Sequence, residues 1–90
     1  MSLKTFYKDP DAKLDYTVDW TEWLTNDTIS ASAWVVPSGI TESSTSKTTT
    51  EATVWLSGGT TGVVYEITNR ITTTLGRIDD RSFNVKIQDK

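Results

Sequence analysis

Side chains able to act on a chemical bond are scarce in this chain. It has no His and no Cys, so the commonest general base and the thiolate nucleophile are both missing. Serine is plentiful, but none stands in the Gly-x-Ser-x-Gly spacing that exposes a nucleophile on a sharp turn. Carboxylates are the remaining reactive class. Asp9, Asp11, Asp15 and Asp19 lie close in sequence, and Asp79 and Asp80 are adjacent. A calcium loop needs several oxygens converging at set spacing. None of these runs has that spacing, so they read as solvated acidic faces. Ser57-Gly58-Gly59-Thr60-Thr61-Gly62 is glycine-rich, but it lacks the Gly-Lys-Ser/Thr ending and following helix of a phosphate loop. These residues point away from catalysis, and they imply no cofactor and no metal.

What remains is the chemistry of contact. The chain has four Trp residues. Trp20 and Trp34 fall on apolar parities and are expected in the core. Trp55 lies between Val54 and Leu56 on the opposite parity, so it is expected to be partly exposed. An exposed Trp marks a protein interface or a sugar platform, unless it lies flat over its own strand neighbours. Trp23 is open to the same readings. Arg70 falls on an outward parity. Phe6 and Tyr7 suit a short edge pairing, an ordered lead-in, or docking onto a neighbouring subunit. Trp23, Trp55, Arg70, Phe6 and Tyr7 are therefore the interaction candidates.

The elements that position them are strands. The chain has 17 Thr and 9 Ser, and β-branched side chains fit a pleated sheet better than a helix. The strongest local pattern runs over 53–74. It reads as a hairpin of two strands around a glycine-rich loop. Val54 and Leu56 alternate with Thr53 and Trp55, the period of a half-buried strand. Gly58, Gly59 and Gly62 let the backbone turn through positive φ. Val63, Tyr65, Ile67 and Ile71 then share an inward parity. Asn69 falls on that same parity, which predicts either a bulge or a buried, hydrogen-bonded amide. Tyr65, just inside a strand after a glycine loop, suits a tyrosine corner, in which the phenol packs inside while its hydroxyl bonds backbone upstream.

The rest of the chain supplies partners. Residues 1–13 form a lead-in with a turn at Pro10. Leu14, Tyr16, Val18 and Trp20 alternate with acids. Asp19 and Glu22 then match the N-cap and capping-box positions of one helical turn near 20–24, with Trp20, Trp23 and Leu24 sharing a face. The segment 29–36 reads as a strand whose inward face switches partway. The polar run 40–51 predicts one or two short edge strands. A loop over 75–80 precedes a last strand over 81–87, with Phe83, Val85 and Ile87 inward. Turn signals about every ten residues predict an all-β, immunoglobulin-like antiparallel sandwich of about seven strands, one domain over 1–90. A small barrel is the alternative.

Charge bounds the partners. The net charge is -3 and the isoelectric point is near 4.7, which argues against nucleic acid. No apolar run is long enough to span a membrane and no signal peptide follows Met1, so a product made in the cytosol is expected.

Several segments together resemble a known family: LDYTVDWTEWL, DTISASAW, WLSGG, TGVVYEITNRITTT and GRIDDRSF. They are similar to small bacteriophage and prophage proteins described as fiber-tail adaptors, from about Lys8 onward. Asp19-Trp20 and Tyr65 to Arg70 are the most specific parts. The resemblance implies a non-enzymatic virion structural protein that contacts other tail, fiber or connector proteins, with a possible homo-oligomer. A carbohydrate-binding or adhesion module is the alternative.

Overall fold

The computed structural model describes residues 4–89. The first three residues of the expected lead-in and Lys90 lie outside them. Seven strands and one short helix follow in order: β1 Lys4–Lys8, β2 Lys13–Asp19, α1 Thr21–Leu24, β3 Ile29–Val35, β4 Ile40–Lys47, β5 Glu51–Gly58, β6 Val64–Thr73 and β7 Ile78–Ile87. They form two sheets, one ordered β1-β7-β6-β3 and the other β2-β5-β4. The pairs are antiparallel except β1 with β7, which is parallel. This is the β-sandwich that the alternation of apolar and polar residues predicts.

The core follows from that alternation. Tyr16, Val54 and Leu56 from one sheet meet Tyr65, Ile67, Phe83, Val85 and Ile87 from the other. A second cluster of Trp20, Leu24, Ile29 and Ile71 closes one end. The expected face switch in β3 comes from a bulge between Ile29 and Ala31. It buries Ile29 on one side and turns Trp34 toward the core on the other. β4 is an edge strand of Ser and Thr in which only Ile40 is buried.

Four expectations need correction. The stretch 53–74 is not a hairpin: β5 and β6 belong to opposite sheets, and the glycine loop carries the chain across the sandwich. Both strands have a mainly apolar inward set, Ala52, Val54 and Leu56 on β5 and Tyr65, Ile67 and Ile71 on β6, so lying in opposite sheets buries both. Val63 is not in the core but 39% exposed, because it belongs to the loop. The last strand begins at Ile78 rather than Arg81. Asp79 and Asp80 sit opposite Ile71 and Arg70, and the Arg70–Asp80 ion pair lets acids stand in a strand. Lastly, Asp19 is not the N-cap of α1. Trp20 holds that position with no side-chain cap. Asp19 Oδ1 instead accepts from the Thr21 N–H and hydroxyl, and exposed Glu22 makes no return bond to complete a box.

The crossing loop is held at several points. The Thr60 N–H donates to the Tyr65 hydroxyl at 3.0 Å, and that hydroxyl lies 3.5 Å from the Gly39 carbonyl. Gly62 N–H donates to Ile87 O, and Ile87 N–H donates to Val63 O. Gly59 has φ +103, and a Cβ there would stand 2.6 Å from Ile87 Cγ1, so only glycine fits. A Cβ on Gly39 would stand 2.9 Å from the Tyr65 hydroxyl. Tyr65→Phe therefore leaves the Thr60 N–H without its acceptor, and should lower unfolding stability by about 1–3 kcal/mol in denaturant titration. The same change at exposed Tyr7 should have no measurable effect.

Candidate functional site

The interaction candidates separate into side chains already engaged and side chains left open. Phe6 is engaged: its ring packs on Tyr16 at 5.2 Å and on Phe83 at 5.5 Å, because β1 joins the sheet beside β7. Trp23 is half-buried. Its ring meets Trp20 edge-on at 5.3 Å, and the Arg77 guanidinium lies 4.3 Å above it. Arg70 projects outward but is neutralised, with Nε and Nη2 donating to the two oxygens of Asp80 at 2.8 and 3.0 Å. These contacts hold the Asp80 carboxyl below the usual carboxylate range. Tyr7 is exposed beside Lys86 on the outer face of the four-stranded sheet.

Trp55, like Tyr7, is a candidate left open. It lies on β5, the middle strand of the three-stranded sheet, and is 37% exposed. Across the strands it faces Asp15 on β2 and Ser44 on β4. The next row of the same face is Thr17, Thr53 and Ser46, with a Thr17–Thr53 hydroxyl bond at 2.8 Å. One indole thus stands among short hydroxyl side chains. Apart from Asp15, the side chains around the ring are uncharged, which suits contact rather than reaction. Among the described residues no cluster of acids could hold a metal ion, and no helix is long and apolar enough to cross a membrane.

Three polar nodes fasten the sandwich, and sequence reasoning singled out only the first, Asn69. Asn69 is fully buried, and its amide is fully used. Its Oδ1 accepts from Trp20 Nε1 at 2.9 Å, and its Nδ2 donates to Ser32 Oγ and Ala33 O. It joins β6 to β3 and to the start of α1, so the second of the two readings of Asn69 is the one observed. Lys8 is also buried. Its Nζ donates to Gly58 O at 2.7 Å and to Asp9 O. Burial pulls its pKa down, while Asp9 and Asp11 oppose that. Nothing in KDPDAK distinguishes this lysine from a solvated one.

The third node is Asp27. Its carboxylate accepts from the Thr28 and Leu75 N–H groups and from Arg77 Nε at 3.0 Å. Arg77 Nη2 also donates to Leu24 O, which caps the end of α1. Asp27 follows Thr25 and Asn26, both at positive φ, and that tight turn points the carboxylate inward. Its only sequence signal is an acid directly after turn residues.

Residues 8–86 match the family described as podophage GP4 fiber-tail adaptor protein gp77. The chain belongs to this family of phage structural adaptor proteins. No curated protein matches the chain. Among solved structures, the PKD domain from the KIAA 1837 protein is similar over 98% of this chain and 81% of its own, at 18% identity and a TM-score of 0.56. That likeness concerns the fold and agrees with an immunoglobulin-like β-sandwich.

The Asp27 node gives a pH dependence. Burial raises its pKa, but hydrogen bonds from Thr73, Thr28, Arg77 and Leu75 outweigh this, and the net shift is downward. A depressed carboxylate pKa contributes stability above the unfolded pKa, and that stability is lost as pH falls through the folded pKa. Asp27→Asn should therefore melt below the wild-type chain at about pH 7, with the gap closing as pH falls below the ordinary Asp value of about 3.9. Thermal melts across that range check this, and a gap constant with pH would remove the charge from the explanation.

Proposed function

We propose that the protein is a non-enzymatic adaptor of the phage particle, joining tail, fiber or connector proteins through the faces of its sandwich. The family match over residues 8–86 carries this reading. The geometry supports it. Phe6, Trp23 and Arg70 are engaged within the domain, and Trp55 is left on an open face. Residues of this type, central in a patch and ringed by small polar groups, are common anchors of protein interfaces. Residence in the virion after synthesis in the bacterial cytoplasm belongs to the same proposal.

The test uses Trp55→Lys in the full chain. A lysine there stands opposite Asp15 and gains an opposite-charge cross-strand pair, but the apolar anchor is gone. The variant should fold with a melting temperature close to wild type and should be depleted about tenfold or more from purified particles, measured by mass spectrometry. Wild-type incorporation would contradict a role for Trp55 in assembly. Saturable binding of glycans that depends on Trp55, with normal incorporation, would favour the carbohydrate-binding alternative.

A further inference from the structure

A second feature lies at the β1 and β2 edges, its lining sharing only Thr17 with the Trp55 face. Between the two sheets, where β1 and β2 are both terminal strands, a cavity of about 320 Å³ opens to solvent. Its apolar surface is made by Phe6, Val18 and Phe83, and its cationic groups are Lys4 and Arg81. No Asp or Glu lines it, although acids outnumber bases 12 to 9 in the chain. The two phenyl rings meet edge to face at 5.5 Å and 89°; Phe83 is buried and Phe6 half-buried, so Phe6 is the ring more open to a ligand.

The two cations are fixed rather than adrift. Lys4 Nζ lies 5.1 Å from the centre of the Phe6 ring. The Arg81 guanidinium lies 4.3 Å above the Trp20 ring, and its Nη1 donates to Asp19 O at 2.9 Å. Neither forms an ion pair among the described residues. The Asp19 carboxylate lies in the field of Arg81 but is held by Thr21. Each cation therefore retains hydrogen-bond donors, since an ammonium has three and a guanidinium five.

We propose that this cleft binds an extended acidic segment of a partner protein. An apolar side chain of the segment lies on Phe6 and Phe83, and a neighbouring carboxylate reaches Lys4 and Arg81. Charge complementarity selects the occupant: two unpaired cations beside aromatic faces attract a carboxylate and repel a basic segment. The free edges of β1 and β2 offer unpaired backbone groups to such a segment, the mode by which peptides add to a sheet. This site is independent of the adaptor reading and of Trp55.

The test is a nuclear magnetic resonance titration of the ¹⁵N-labelled full chain with two capped hexapeptides, one alternating Phe and Asp, the other alternating Phe and Lys. The acidic peptide should shift the amides of Phe6, Val18, Ser82 and Phe83 saturably, and the basic one should not. Lys4→Gln, a change at an exposed position that leaves the fold intact, should weaken the acidic peptide about two- to five-fold. Lys4→Gln with Arg81→Gln should weaken it further, and the variant's own spectrum reports whether it is folded. Equal shifts from both peptides, shifts confined to other surfaces, no shift at all, or unchanged affinity in Lys4→Gln would overturn the proposal. Failure here leaves the Trp55 test untouched.

Discussion

The structure depends on one passage of chain, the crossing from β5 to β6. Each of these strands has a mainly apolar inward face, with buried Asn69 on β6 satisfied by hydrogen bonds, and the two faces are buried together because the strands lie in opposite sheets. The loop between them must therefore span the sandwich and leave its backbone groups at the boundary of the core. Polar backbone in that position costs free energy unless it is paired. Tyr65 supplies an acceptor for Thr60, β7 pairs with Gly62 and Val63, and buried Lys8 binds the Gly58 carbonyl. The same loop is thereby tied to β1, β6 and β7. A cluster of glycines makes it sterically possible, and the ring of hydrogen bonds makes it stable.

The opposite end is closed by different means. There, Trp20 and Leu24 plug the sandwich, Asn69 links three elements through one amide, and Asp27 with Arg77 binds the end of the short helix to the turn before β7. With both ends fastened, the strands between them present fixed faces. A structural adaptor needs such a frame, because a contact surface that must be ordered on binding gives up part of its binding energy. The exposed Trp55 and the cationic cleft at the β1 and β2 edges both sit on this frame, on different sides of the β2 strand.

Much of the sandwich was legible because alternation with period two is a direct image of burial in a half-exposed strand. Val54, Leu56, Tyr65, Ile67, Phe83, Val85 and Ile87 all lie where parity puts them. The outward placement of Trp55 and Arg70 followed from the same pattern. What parity does not encode is which sheet a strand joins, so β5 and β6 read as a hairpin. It also does not show whether an acid in a strand has a partner across it. Asp79 and Asp80 therefore read as loop, although Arg70 waits opposite Asp80. The buried roles of Lys8 and Asp27 depend on carbonyls and amides about fifty residues away in sequence, and no local spacing reveals those. The Asp19 and Glu22 pair matched a capping box, but the helix is capped one residue later, at Trp20, which puts Glu22 at its second position rather than its third. Asp19 turned instead to Thr21.

The most direct measurement is native-state hydrogen exchange at the crossing. If the loop is fastened as described, the Thr60, Gly62 and Ile87 amides should exchange only through global unfolding, with protection that falls with denaturant as it does for the core of β6. Exchange of Thr60 and Gly62 at the rates of an open loop, insensitive to denaturant, would contradict the claim that this passage holds the two sheets together.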